Sequence, residues 1–80
     1  MKKNILGPRI REIRQTQRPP VTQDDLAARL ATKGLKLDRS AISRIEKGER
    51  YLTDIELFAI AGAMKVDISE LFTGKDKLRT

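Results

Sequence analysis

Four times in this chain a capping residue stands between two apolar residues five apart, and each occurrence marks where a helix begins. The pairs are Val21 and Leu26 around Thr22, Leu37 and Ile42 around Asp38, Leu52 and Leu57 around Thr53, and Val66 and Leu71 around Asp67. This is the N′-to-N4 spacing of a hydrophobic staple, with a side chain between that can accept a first-turn N–H. Three of the four add an acid at N3 (Asp25, Glu56 and Glu70), placed to take the N–H of the cap itself. Asp25, one methylene shorter, is the weaker version. A chain punctuated this way is built from short helices.

The periodicity between the caps fills in the rest. A first helix over residues 7–17 places Pro8 at N1, where its missing N–H costs nothing, and carries Ile10 and Ile13 on one stripe, with Leu6 packing at the entry. Pro19 and Pro20 then stop it and extend the chain. A second helix runs from Thr22 to about Lys33. Gly34 stands at its C′ position, and Leu35 falls five after Leu30, the spacing of a Schellman contact. A third spans residues 38–47 and closes at Gly48. The fourth, residues 53–64, is apolar nearly all round (Ile55, Leu57, Phe58, Ile60, Met64), as suits a helix central to a core or one shared with a partner subunit. A short fifth helix, Ile68–Phe72, precedes a polar tail over residues 74–80. The expected fold is all-α: five helices in one domain over residues 1–80, with its core within about 5–73.

Composition narrows the chemistry. The 80 residues include no cysteine and no histidine, which removes disulfides, thiolate metal sites and imidazole acid–base catalysis. No apolar run approaches the roughly 20 residues that span a bilayer, and the first residues lack the apolar stretch of a signal peptide, so the reading is a cytoplasmic protein without a membrane partner. The net charge of +6 is unevenly spread. Residues 1–50 hold 13 Lys/Arg against 6 Asp/Glu, whereas residues 51–80 hold 4 against 5. One part of the surface is basic.

The third helix concentrates that charge. At ~100° per residue, Arg39, Ser40, Ser43, Arg44 and Lys47 fall within an arc of ~140°, while Ala41, Ile42, Ile45 and Glu46 share the opposite side. Two helices joined at a large angle, the later one short, polar and cationic on its outer face, can lay that helix in the major groove while the earlier one crosses the phosphate backbone. Ala27 on the second helix would let the third approach near Ile42, though alanine is equally a plain helix former.

The strings IREIR, TQDDLAARL, RSAISRIEKGER and ELFAIAGAMKVDISELF resemble the Cro/lambda-repressor-type helix-turn-helix, the XRE family of bacterial and phage regulators. The resemblance covers about residues 5–73. It implies a lambda-repressor-like domain with a lengthened turn, because about five extra residues lie between Leu26 and Ile42. The connection through Pro19 and Pro20 is also longer, and Lys65 stands where the family usually has glycine.

Carried over by position, the resemblance implies that Thr22 and Gln23 hold a phosphate at the second helix's N-terminus, where free N–H groups and the helix dipole favour an anion. It places Arg39, Ser40, Ser43 and Arg44 at bases. Arg39, nearest the helix N-terminus, suits bidentate pairing with guanine O6 and N7. The short hydroxyls of Ser40 and Ser43 serve either bases or phosphates. Lys47, Arg50 and Tyr51, around the Gly48 turn, are expected at phosphates, with Lys36 as a further candidate. Arg9 and Arg11 fit phosphate contacts and a plain solvated surface equally. The family pairs an acid at the position of Glu46 with an arginine of the first helix, here Arg14.

The expectation is a sequence-specific regulator of double-stranded DNA, of repressor type, possessing no cofactor, no metal and no small-molecule site. Its symmetric dimer would form through apolar residues of the fourth helix with Ile68, Leu71 and Phe72; the alternative places all of these in one core. A second class, a protein-interaction module such as an antitoxin-like or bridging protein, is compatible with the short stretch after the fifth helix, and so equally are a minimal repressor and a DNA-binding domain cut from a longer chain. Catalysis is disfavoured, because Asp/Glu, Lys, Ser and Tyr form no recognisable catalytic arrangement. Single-stranded RNA is disfavoured too: Tyr51 and two Phe are the only aromatics available for stacking.

Overall fold

The computed structural model describes residues 2–72, so the expected tail over residues 74–80 lies outside the described residues. Four α-helices follow in order: α1 (Gly7–Thr16), α2 (Gln23–Thr32), α3 (Arg39–Glu46) and α4 (Asp54–Ala63). The expected fifth helix is instead a single 3₁₀ turn, Ile68–Phe72. The Glu70 N–H donates to the Asp67 carbonyl at 2.9 Å, the i to i+3 bond that distinguishes this tighter winding from an α-helix. There is no strand among the described residues.

The caps act as local chemistry dictates. Thr22 Oγ1 accepts the Asp25 N–H at 3.0 Å while the Asp25 carboxylate accepts the Thr22 N–H at 3.1 Å, a complete capping box. Thr53 and Glu56 make the same reciprocal pair, and Asp38 accepts the Ala41 N–H at 2.8 Å. At the other end of α2, the Leu35 N–H reaches the Leu30 carbonyl and Gly34 reaches Ala31, closing a Schellman motif with Gly34 at φ +83°. Helices α3 and α4 end identically, around Gly48 at φ +75° and Lys65 at φ +60°. Lys65 adopts the left-handed conformation despite its side chain.

The core gathers one face of each helix. Ile10, Leu26, Leu30, Ile42, Ile45 and Ile60 are buried, with Met64 and Leu71 closing its far side. Helix α3 packs against both α1 and α2, and half-buried Ala27 lies against this core. Burial of Leu71 withdraws it from the set of residues available to a partner. Helix α4, which has no polar face to orient it, is buried only toward its C-terminal half, at Ile60, Ala61 and Ala63. Ile55 and Phe58 each remain 71% exposed.

The N-terminus of α1 meets the C-terminus of α3 closely enough that Gly7 is required there. A Cβ at Gly7 would stand 2.7 Å from the Glu46 carbonyl oxygen. The cap of α1 comes from outside the helix: Asn4 Oδ1 accepts the N–H groups of Leu6 and Gly7 at 3.0 and 2.7 Å.

Candidate nucleic-acid interface

Helix α3 stands in the surface so that its two faces have opposite fates. Ala41, Ile42, Ile45 and Glu46 are buried, whereas Arg39, Ser40, Arg44 and Lys47 are exposed and Ser43 is half-buried. The five outward residues share a groove of about 520 Å³ with Gln23 of α2. A neighbouring groove of about 540 Å³ runs between α1, α2 and α3 and adds Arg11 and Thr22 to Arg39, Ser43 and Lys47. Arg11, for which the sequence left two roles open, therefore stands beside the cationic face.

Position is enforced from beneath by one buried charge pair. Arg14 of α1 donates Nε to Glu46 Oε2 at 2.7 Å and Nη2 to Oε1 at 2.9 Å, and its Nη1 donates to the Val21 carbonyl at 3.0 Å. Gln23 Nε2 donates to the same Glu46 Oε1 at 3.0 Å. Three segments of chain are thereby tied to the inner side of α3. Both charged residues are buried, and every buried side-chain polar atom among the described residues has a partner. A buried carboxylate held this way fixes the rotation of α3 about its axis, and with it the direction of the outer face.

The remaining candidates divide. Thr22 is exposed, and its oxygen serves the α2 cap. The Thr22 N–H, donated to the Asp25 carboxylate, holds that carboxyl below its ordinary value. The side-chain amide of Gln23 is engaged on Glu46. Lys36 is exposed but lines a separate groove with Asp38, Arg44 and Arg50. Tyr51 is 69% exposed. Arg50, expected at phosphate, is half-buried and committed inward: its Nη1 and Nη2 reach Glu56 at 3.0 and 3.2 Å. That pair is the main reason the Glu56 carboxyl lies below its ordinary value, with the Thr53 N–H adding to it. Arg39 meets Asp24 at 3.6 Å, both highly exposed, a contact too solvated to hold the guanidinium in place. Arg9 is drawn to Glu12 and to the Glu70 carbonyl.

Two residues escaped the sequence reading. Lys2 and Lys3 lie along the Gly48 turn, where Lys2 Nζ donates to the Lys47 carbonyl at 2.7 Å and the Lys3 N–H donates to the Gly48 carbonyl at 2.8 Å. No local pattern signals such a contact across more than forty residues. The only available hint is that two lysines precede an asparagine able to cap a helix.

The arrangement is a short cationic helix presented on a rigid base, beside a capped helix with its N-terminus at the same groove. No helix of the described residues is long and apolar enough to cross a membrane. Nothing among curated proteins or solved structures matches the chain significantly. A family model described as helix-turn-helix matches residues 10–71, which include α2, its turn and α3 together with most of the supporting helices. The chain belongs to the Cro/C1-type helix-turn-helix family of DNA-binding regulators.

Proposed function

We propose that this protein is a sequence-specific transcriptional regulator, acting in the cytoplasm as a repressor by occupying an operator with α3 in the major groove. The observation that carries this is the outward face of α3: Arg39, Ser40, Ser43, Arg44 and Lys47 share one open groove while Glu46 is held beneath them. In this reading Arg39, Ser40, Ser43 and Arg44 meet base edges, and Thr22, Gln23, Lys36, Lys47 and Tyr51 meet the phosphates on either side. Arg50 acts through Glu56, fixing the start of α4 behind the Gly48 turn.

The exposed apolar pair Ile55 and Phe58, three apart on α4, supports a second copy of the chain as partner, with Phe72 at 46% exposure on the adjoining 3₁₀ turn. A two-fold dimer would address inverted half-sites about one helical turn, ~34 Å, apart. The single domain of residues 1–80 is then one half of the operator-binding unit.

Selection of bound duplexes from a random pool, followed by a salt titration on the winner, tests the reading. A palindromic consensus is expected, with affinity falling on a log–log slope of about −0.9 per phosphate contact. A protein-interaction module would enrich no consensus.

A further inference from the structure

We propose that residues 2–4 are a strap that turns the C-terminal end of α3 from an electronegative surface into a cationic one, and that Lys2 and Lys3 are phosphate contacts of the DNA interface. This deepens the proposed function and rests on α3 entering the groove.

A helix C-terminus presents free carbonyl oxygens and roughly half a negative charge. At the end of a groove-bound helix that charge would face the phosphate backbone and repel it. Three consecutive residues remove the problem here. Asn4 Nδ2 donates to the Ile45 carbonyl at 3.1 Å and to the Arg50 carbonyl at 2.9 Å. The Lys3 N–H donates to the Gly48 carbonyl, and Lys2 Nζ to that of Lys47. The same Asn4 caps α1 through Oδ1, so the strap is anchored to the rigid body at both sides.

Capping alone does not call for two ammonium groups. Lys3 donates to the Gly48 carbonyl with its main-chain N–H, which leaves its Nζ 5.4 Å from the ring centroid of exposed Tyr51. Both lysines are exposed and flank Lys47 and Tyr51, the residues assigned to phosphate on this side. Gly48 makes the approach possible. It adopts φ +75°, and a Cβ there would stand 2.6 Å from Lys2 Cδ.

The experiment compares wild type, Lys2→Gln with Lys3→Gln, and a charge-matched control, Lys33→Gln with Lys65→Gln. The control positions lie near the C-terminal end of α4, where Lys33 Nζ approaches Gly62. Affinity for the selected duplex is measured from about 50 to 200 mM salt. The strap variant is expected to flatten the log–log slope by about 1.8 per bound protomer, without altering base preference, while the control keeps the wild-type slope. Asn4→Ala, which keeps both lysines but releases the strap, is expected to flatten the slope in the same direction. Because Lys2 and Lys3 are exposed, their replacement leaves a folded protein even if Asn4→Ala unfolds. A strap variant with the wild-type slope, or a control that falls equally, overturns the inference and leaves the regulator reading intact. A wild type with no salt-dependent DNA binding overturns both.

Discussion

Arg14 and Glu46, 32 residues apart in sequence, meet as a two-pronged buried pair at 2.7 and 2.9 Å. Arg14 also donates to the Val21 carbonyl, and Glu46 also accepts from the Gln23 side-chain amide. The relationship joins the helix that supports the fold to the helix that carries the cationic face.

Breaking that pair from one side strands a buried charge. Arg14→Ala or Glu46→Ala is expected to cost about 3–5 kcal/mol, a large share of the roughly 4–12 kcal/mol available to a domain of this size. Replacing both, Arg14→Met with Glu46→Leu, removes the stranded charge and leaves the buried Val21 carbonyl without its donor, at about 1–3 kcal/mol, and the half-buried Gln23 amide without its acceptor. Urea unfolding of the three variants checks the order; a double variant no better than the singles would contradict it.

Arg39 and Lys47 sit at opposite ends of α3 and are expected to fail differently. Arg39→Ala should relax preference at one base position, at about 1–3 kcal/mol on the preferred duplex. Lys47→Ala should weaken all duplexes alike and flatten the salt slope by about 0.9. Competition binding against a panel of single-base variants separates the two, and identical profiles would remove the division between base and phosphate roles.

Lys65 holds φ +60° at the C′ position of α4. A left-handed conformation costs a residue with a Cβ about 1–2 kcal/mol, and glycine gives back about 0.5–1 kcal/mol in chain entropy. Lys65→Gly is therefore expected to stabilise by about 0.5–1 kcal/mol, a rise of several degrees in Tm. Thermal unfolding reads the sign directly.

Glu56, held by Arg50, has a carboxyl below its ordinary value in the folded protein. Its contribution is complete above the unfolded value of about 4.3 and is lost as pH falls through the lower folded value. Glu56→Gln should thus be less stable than wild type at neutral pH, and the gap should close on acidification. Unfolding free energies of the two proteins across that range decide it; a gap independent of pH would assign the stability to packing instead.

Much of the architecture was legible because its signals are local. An N-cap reaches only three residues ahead and a staple only five, so Thr22, Asp38 and Thr53 report the helix starts without any knowledge of the fold. Gly34 and Gly48 announce the ends by the same short-range logic. The outer face of α3 followed from helical geometry, which needs only the spacing of Arg39, Ser43 and Arg44. The fifth helix misled, since a cap and staple mark where helical winding starts but do not say whether its bonds run to i+3 or to i+4.

Other features depended on distance in space rather than in sequence. Apolar nearly all round, α4 carried no pattern to say which side faces inward, and only packing against α2 and the 3₁₀ turn left Ile55 and Phe58 outside. Arg50 read as one more cation beside a glycine turn until the fold brought Glu56 against it. Lys2, Lys3 and Asn4 carried no local pattern beyond two lysines before an asparagine able to cap a helix. Their positions were decided where two helix ends meet, because there their donors reach the carbonyl oxygens of Ile45, Lys47, Gly48 and Arg50, more than forty residues away in sequence.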